Sequence, residues 1–435
     1  MRLLPIALAC CTAVHAQNTT PPSPAPLQPA CIRNVTVHTM DGGCTVVEGA
    51  AVVIGVDGRI DRIVPDAQAP TDGVVTVDGA GRHLWPGFIS SATTLGLIEV
   101  QQVRATDDRT EVGQFHPEVE AWVAVNPDSD LLAVARTNGI LGALVFPQGG
   151  RVSGTASMIR LNGWDTHDLA LRKACGVIVR WPATEPTVQW WTRTAPDDQQ
   201  KRIDRDLREV REFFTKAKAY VAASDAGSTP TVDLRFERMR PVLKGEAPVY
   251  LDASSAGQVA SAVTWALAEG LKPVVVGGAG AVEQADLLRA HDVPVIVVGV
   301  HRLPQWAHEP WDAPFTLPAR LAKAGIRFSI ATGDEPSNDR NLPHHAATAV
   351  AHGLPHDRAV AAITRDAAII AGVGDQLGTL APGMRATMIL CSGDPLDVRT
   401  PVEAAWIDGR RLDLSNHQTR MLEKYRRKYA EPAAR

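Results

Sequence analysis

Eight short apolar runs alternate with helix-like segments through the middle of the chain, and this alternation constrains the fold most. Most runs are continuous stretches of aliphatic residues, as expected for parallel strands buried on both faces. Strands that alternate with helices predict βα units, and eight strands close a TIM-type barrel. The predicted barrel strands are residues 87–94, 140–146, 156–161, 176–181, 248–252, 273–277, 294–298 and 327–331.

Further strand-like runs flank this region near both ends of the chain. Residues 32–39, 50–55 and 59–64 are separated by Gly, Asp and Pro turns, and two more runs lie at 386–391 and 404–407. These runs predict a small β-rich unit outside the barrel.

Charge and hydropathy exclude several function classes. The 435 residues include 48 acidic and 44 basic side chains, for a formal net charge of −4. The chain therefore has no excess of basic charge for nucleic acid or an anionic membrane. No run after the first residues approaches the ~18 apolar residues of a membrane helix. We expect a small-molecule substrate or ligand as the partner, with no nucleic acid and no membrane span, and the sequence gives no indication of an oligomeric state.

The first residues have the pattern of an export signal. Arg2 is followed by the apolar stretch 3–12 and by Val14-His15-Ala16, a small-residue cleavage site. This pattern predicts a signal peptide over 1–16, a disordered lead-in over 17–30, and a secreted or periplasmic protein. A lipoprotein anchor at Cys10 is the alternative, although a lipobox prefers leucine where Ala7 stands.

Four cysteines follow the predicted signal peptide. Cys31 and Cys44 flank a predicted strand and turn, and a hairpin would bring them together for a disulfide that an oxidising compartment would preserve. Two unpaired thiols are the alternative. Cys175 and Cys391 lie in apolar runs and are typical of core residues.

Two motifs connect these elements to a known family. The segment from Leu84 to Leu95, which opens Leu-Trp-Pro-Gly-Phe-Ile, resembles the first barrel strand of the amidohydrolase superfamily. Residues 378–396 resemble the closing run of the same family, and the nearest branch is its imidazolonepropionase-like group of exported members. The resemblance covers about residues 31–412. It implies a TIM-type (β/α)8 barrel over 84–374 and a β-sandwich composite domain built from 31–83 and 375–412. The charged residues beyond this region predict a solvated helical tail over 413–435.

The resemblance also implies where metal ligands would stand. Family members hold one or two metals, usually zinc, through His-x-His on strand 1, a lysine or glutamate on strand 4, histidines on strands 5 and 6, and an aspartate on strand 8. Here those positions up to strand 6 hold Ala92, Thr94, Arg180, Asp252 and Gly277. A methyl group, a neutral hydroxyl and a guanidinium cannot replace imidazole as zinc ligands. We therefore expect no resident cofactor, and zinc or another divalent metal would need replacement ligands.

Asp334 stands at the strand 8 aspartate position of the family, and Asp252 ends strand 5. Both are predicted at the C-terminal mouth of the barrel, where TIM-barrel chemistry resides. They are the candidate catalytic pair, because two such carboxylates are the minimum for metal-free acid–base hydrolysis. Arg180 is a candidate substrate-binding residue beside them. The structural alternative is that Arg180 holds both aspartates as ion-pair partners.

Two loops supply further candidates. His301 and His308 follow strand 7, and with either aspartate they would offer mixed nitrogen and oxygen ligands to a metal; ordinary surface histidines are the alternative. The loop after strand 2 carries Gly149, Gly150 and Arg151, whose N–H groups and guanidinium are candidates for binding a substrate carboxylate. The alternative there is a tight rim turn that requires positive φ angles.

Two function classes follow. The resemblance implies a hydrolase that acts on non-peptide carbon–nitrogen bonds of a small molecule, with a remodelled site around Asp252 and Asp334. The missing ligands favour a catalytically silent relative that acts as an exported small-molecule-binding or interaction protein. Function resides in the site and not in the fold, so the geometry of the barrel mouth must distinguish the two.

Overall fold

The computed structural model describes residues 21–25, 28–187, 192–228, 231–307, 309–333 and 335–430. The predicted signal peptide 1–16 lies outside these ranges, as do Asp334 and His308. The described residues form fifteen strands: β1 (Ala30–His38), β2 (Val46–Ile54), β3 (Ile60–Pro65), β4 (Val75–Pro86), β5 (Phe88–Thr93), β6 (Ile140–Val145), β7 (Val152–Arg160), β8 (Ala170–Arg180), β9 (Val249–Ala253), β10 (Pro273–Gly277), β11 (Val295–Val298), β12 (Phe328–Ala331), β13 (Met388–Cys391), β14 (Val402–Ile407) and β15 (Arg410–Arg411).

The α-helices of the described residues mostly follow the barrel strands. They are α1 (Ala121–Ala124), α2 (Asp130–Thr137), α3 (Thr166–Leu169), α4 (Pro196–Asp225), α5 (Leu234–Leu243), α6 (Ala256–Ala268), α7 (Ala285–Ala290), α8 (Ala313–Lys323), α9 (Leu342–Ala351), α10 (His356–Ala362), α11 (Arg365–Ile370) and α12 (His417–Ala430). A short 3-10 helix, Pro336–Asn341, links β12 to α9.

The first sheet joins the two ends of the chain. Its strand order is β15-β14-β13-β4-β1-β2-β3, and β4 pairs with β1 on one side and with β13 on the other. The predicted flanking strands are present, and the composite unit implied by the family resemblance is confirmed. The sequence pattern does not predict β4, because Gly79 and Gly81 interrupt the alternation of apolar and polar residues and are typical of a turn.

The second sheet is a nearly closed barrel whose eight strands run in the order β5 to β12. Each predicted barrel strand is present, and β12 packs beside β5, so the TIM-type fold is confirmed. The third strand departs from the ideal pattern, because β7 is antiparallel to both β6 and β8. Only residues 146–151 separate β6 from β7. That connection is too short for a parallel crossover, which needs a dozen residues or more.

One end of the barrel is filled. Inward side chains, among them Ile89, Tyr250 and Ile296, pack in one cluster with residues of α11. The Tyr250 hydroxyl donates a hydrogen bond to the carbonyl oxygen of Ile370 at 3.1 Å. This floor lies at the N-terminal ends of the parallel strands, so the site described below lies at the opposite end.

Of the two alternatives for Cys31 and Cys44, the structure has the unpaired thiols, since both are free. Cys31 lies near the start of β1, where it pairs with Val53 of β2, whereas Cys44 lies in the turn at the other end of this hairpin. Within the described ranges, the helices lack the combined length and hydropathy that a bilayer crossing requires.

Candidate site at the barrel mouth

A cavity of about 420 Å³ opens at the C-terminal ends of the barrel strands. We call it the mouth cavity. Its volume falls within the range of small-molecule pockets. The buried part of its lining is mostly apolar, and the charged side chains form its more exposed part, or rim. The apolar group includes Phe146, Ile178, Val276 and Val298, and the polar group includes Gln148, Ser153, Arg180, Asp252, Ser254, Arg302 and Gln305.

The positions that hold metal ligands in the family do not fit a metal here. Ala92 lines the cavity with a methyl group only. Thr94 is buried in the barrel wall, and its hydroxyl has no hydrogen-bond partner among the described residues. Gly277 also lines the cavity, with φ of 92°, and a Cβ atom there would lie 2.9 Å from Ser254 Oγ. This strand 6 position therefore admits no ligating side chain without a local shift.

Asp252 is the one described carboxylate at a former ligand position, and it faces a cation. The parallel register of β8 and β9 aligns it with Arg180, and Arg180 Nε lies 3.6 Å from Asp252 Oδ2. The two side chains are 50% and 45% exposed, so water screens the pair. The predicted proximity of Arg180 to Asp252 is present, whereas Asp334, the other predicted catalytic residue, lies outside the described residues.

Arg302 adds a second cation to the mouth cavity, which sequence reasoning did not single out. It is partly buried, and burial lowers the pKa of its guanidinium, while Glu309 acts in the opposite direction. Nη1 donates to the Leu303 carbonyl at 3.2 Å, and no described carboxylate lies within ion-pair distance of it. A partly desolvated guanidinium without a neighbouring carboxylate favours the binding of an anion beside it.

The loop with Gly149, Gly150 and Arg151, a candidate anion-binding site in the sequence, contacts other parts of the protein instead. Arg151 forms an ion pair with the buried carboxylate of Asp206 on α4, and its backbone N–H donates to the Gln114 carbonyl at 2.7 Å. Gly149 and Gly150 have φ angles of 86° and 62°. Arg151, Gly149 and Gly150 are absent from the cavity lining, and this geometry favours the alternative, a tight rim turn.

His301, one of the two histidines weighed as a replacement ligand, has other partners. His301 Nε2 lies 2.6 Å from Thr348 Oγ1, and the ring packs against that of His345 with centroids 4.0 Å apart. Burial lowers the pKa of both rings, that of His345 to about 3. Across the part of the chain that the structure describes, there is no group of three His, Cys, Asp or Glu side chains placed to hold a metal.

A second polar cluster at this end of the barrel was missed by sequence reasoning. Asp339 is fully buried where β5 meets β12, and its carboxylate accepts hydrogen bonds from Thr93 at 2.6 Å, Thr332 at 2.6 Å and Ser90 at 3.1 Å. Burial raises the pKa of Asp339 to about 6, although the three hydroxyl groups oppose that shift. We call these four residues the seam cluster. They join the first and last barrel strands, between which no strand ladder forms in the described residues.

The comparisons with known proteins agree with this architecture. No protein-family model matches the sequence. The chain is 22% identical over 398 residues to an amidohydrolase, tasK, of Hapsidospora irregularis, in a match that covers 82% of this chain but only 39% of that protein. It is 25% identical over 385 residues to an imidazolonepropionase of Acidiphilium cryptum, across 82% of this chain and 90% of that one.

Among solved structures, an amidohydrolase from Thermotoga maritima superposes with a TM-score of 0.75 at 22% identity. The superposition covers 88% of this chain and 99% of the Thermotoga chain, and it supports the barrel and the composite sheet. At the level of family, the sequence similarities support a relation to amidohydrolase-type hydrolases.

Proposed function

We propose that this chain, which is similar in sequence to amidohydrolase-type hydrolases, binds a small anionic molecule in its barrel mouth without the metal that the family resemblance implies. The observation that carries this proposal is the pair of cations at the rim of the mouth cavity, Arg180 and Arg302. One described carboxylate, Asp252, lies with them, so the described rim keeps an excess of positive charge.

The shape of the cavity supports a ligand with two parts. The guanidinium groups would bind a carboxylate through charge-assisted hydrogen bonds. The buried apolar part of the lining, with Phe146, Ile178 and Val276, would bury an aliphatic or aromatic body. The ion pair with Asp252 would hold the Arg180 side chain at the rim when no ligand is bound.

The absence of usable ligands supports the metal-free part of the proposal. A divalent cation at this site would meet Ala92 and Gly277 in place of imidazole, and its remaining carboxylate ligand, Asp252, already faces a guanidinium. Two like charges that share one carboxylate in a partly desolvated site repel each other. Arg180 therefore opposes a metal at the position where strand 4 of the family would supply a ligand.

A second candidate function is metal-free hydrolysis of a non-peptide carbon–nitrogen bond. Similarity to hydrolases along 82% of the chain favours it, as does the position of Asp252 at the C-terminal end of a barrel strand. In this mechanism Asp252 and Asp334 would divide the roles of base and acid. The ion pair with Arg180 suits Asp252 to the role of the base.

Hippurate, a benzoylated glycine, tests both candidates because it combines a carboxylate, an apolar ring and a carbon–nitrogen bond. Calorimetric titration should detect hippurate and benzoate, and should detect the neutral hippuramide at least about tenfold more weakly. Arg302→Met should weaken hippurate by a similar factor, while the exposed Arg411→Met serves as the control. Equal affinity for hippurate and hippuramide would contradict an anion site.

The same samples separate binding from catalysis. Release of glycine from hippurate that is lost in Asp252→Asn, with binding retained, would establish the second candidate. Binding without release in the wild-type chain supports the first.

We also propose that the protein acts outside the cytoplasm, a proposal that depends on residues 1–16 alone. Fractionation of cells that express the full chain, with and without those residues, measures it directly. Retention of the full chain in the cytoplasm would contradict it.

A further inference from the structure

The last helix, α12, is anchored to the body of the protein at its first turn and is exposed beyond it. Asn416, which precedes the helix, is 4% exposed, and its Nδ2 atom donates to Thr137 Oγ1 on α2 at 2.8 Å. Its Oδ1 atom accepts a hydrogen bond from the Thr419 N–H at 2.9 Å, which caps the helix. From residue 422 to residue 430 every residue is exposed. The fold therefore leaves this part of α12 open to a partner on all sides.

Large apolar side chains lie on this exposed helix. Leu422, Tyr425 and Tyr429 are 51%, 45% and 78% exposed. Successive residues of an α-helix are rotated by about 100°, so these three side chains and Met421 share one face about 100° wide. We call these four residues the tail stripe. A helix of 14 residues is marginal in water by itself, and a continuous apolar stripe on it favours a partner that covers the stripe.

Cations border the tail stripe on both sides. On one side, Lys424 Nζ lies 5.8 Å from the ring centroid of Tyr425, and Lys428 Nζ lies 5.6 Å from that of Tyr429. Arg426 follows Tyr425 by one residue, a rotation of about 100° that places it on the other side. The helix contains five Arg or Lys residues and one Glu, whereas the chain as a whole has a net charge of −4. It is thus a local basic region in an acidic protein.

We propose that α12 binds the surface of an anionic lipid bilayer, with the tail stripe inserted at the boundary between headgroups and acyl chains. An apolar stripe bordered by cations is complementary to such a surface, where anionic groups lie above hydrocarbon. Tyrosine suits this boundary, because its ring is apolar and its hydroxyl group is polar. A nucleic-acid duplex would attract the same cations but would leave the tail stripe in water. The contact is peripheral and does not involve the mouth cavity.

Co-sedimentation of the full purified chain with lipid vesicles tests the proposal. We expect vesicles of phosphatidylcholine and phosphatidylglycerol to bind the chain at least about tenfold more strongly than vesicles of phosphatidylcholine alone. The stripe variant, Tyr425→Ser with Tyr429→Ser, should lose at least about tenfold in this affinity. Serine and tyrosine have similar helix propensities, so the helix itself should remain.

The flank variant, Lys424→Gln with Arg426→Gln and Lys428→Gln, should lose a similar factor, because each cation near an anionic surface contributes to the attraction. Its matched control keeps α12 intact and removes three exposed cations from α4. The control should bind within about threefold of the wild type, because salt screens charges that lie far from the bilayer. Its substitutions are Arg202→Gln, Arg211→Gln and Lys216→Gln.

The substituted side chains are all exposed, so each variant should unfold at the wild-type temperature. Equal binding to both vesicle types, or binding to neither, would overturn the proposal. Binding that survives in the stripe variant would also overturn it, since charge attraction alone would then account for the contact. Binding of a DNA duplex without binding of vesicles would assign the cations of α12 to nucleic acid and would overturn it as well.

Discussion

Asp339 and Asp252 are carboxylates at the same end of one barrel, and the protein surrounds them in opposite ways. Asp339 is fully buried and accepts three hydrogen bonds from the two strands that it joins. Asp252 is 45% exposed and forms an ion pair with Arg180 at the edge of the mouth cavity. The seam cluster is thus shielded from water by the fold, whereas the charged groups of the mouth cavity are exposed to solvent.

The largest expected difference between the two regions is in the free energy of unfolding after each carboxylate is removed. Asp339→Ala leaves the hydroxyls of Ser90, Thr93 and Thr332 without their acceptor, so we expect a loss of about 3 kcal/mol or more in the free energy of unfolding. Asp252→Ala should cost less than about 1 kcal/mol, since its ion pair is half exposed. Urea titration of both variants measures this difference. Equal losses would remove the distinction between the seam cluster and the mouth cavity.

The sequence predicts the strands of the molecule better than it predicts the seam cluster or the mouth cavity. The eight barrel strands follow from continuous apolar runs, because a strand buried on both faces carries apolar residues at nearly every position. The flanking strands follow from apolar runs bounded by turn residues. The register of Arg180 beside Asp252 follows from their places at the ends of adjacent parallel strands. The reversal of β7 could also be predicted, since the predicted strands 140–146 and 156–161 leave only residues 147–155 between them, fewer than a parallel crossover needs.

Asp339 could not be predicted in the same way. It follows β12 in a polar stretch, where an aspartate commonly caps a turn, and its three partners are ordinary Ser and Thr residues far away in sequence or beyond a turn. Only the closure of β5 against β12 brings them together.

The pH dependence of stability sharpens the comparison further. The pKa of Asp339 is raised to about 6 in the folded protein, so the native state holds a proton that the unfolded state releases near pH 4. The stability that this group contributes is therefore fully present below about pH 4, and it is lost as the pH rises from about 4 to above 6. The change is on the order of 2–3 kcal/mol.

Asp339→Asn should remove this dependence, because an amide does not titrate. The difference in unfolding free energy between wild type and variant, measured in urea at several pH values from 4 to 7, should move in favour of the variant as the pH rises. A constant difference across that range would contradict a raised pKa at Asp339.

The smallest expected effect concerns the rim turn. Arg151→Met leaves the buried carboxylate of Asp206 with Arg205 as its remaining partner, so we expect a stability loss of about 1–2 kcal/mol. The affinity of the mouth cavity for hippurate should stay within about twofold, because Arg151 pairs with α4 and does not line the cavity. A large loss of affinity with unchanged stability would instead restore Arg151 as a substrate-binding residue.

The proposed function requires that the mouth cavity binds an anion through Arg180 and Arg302 and holds no metal. Elemental analysis of the purified chain after exhaustive dialysis, followed by incubation with zinc and a second dialysis, tests this claim most directly. We predict metal content well below one ion per chain at both stages. Near-stoichiometric zinc, manganese or iron that falls in Asp252→Asn would contradict the account and would place a metal at the barrel mouth.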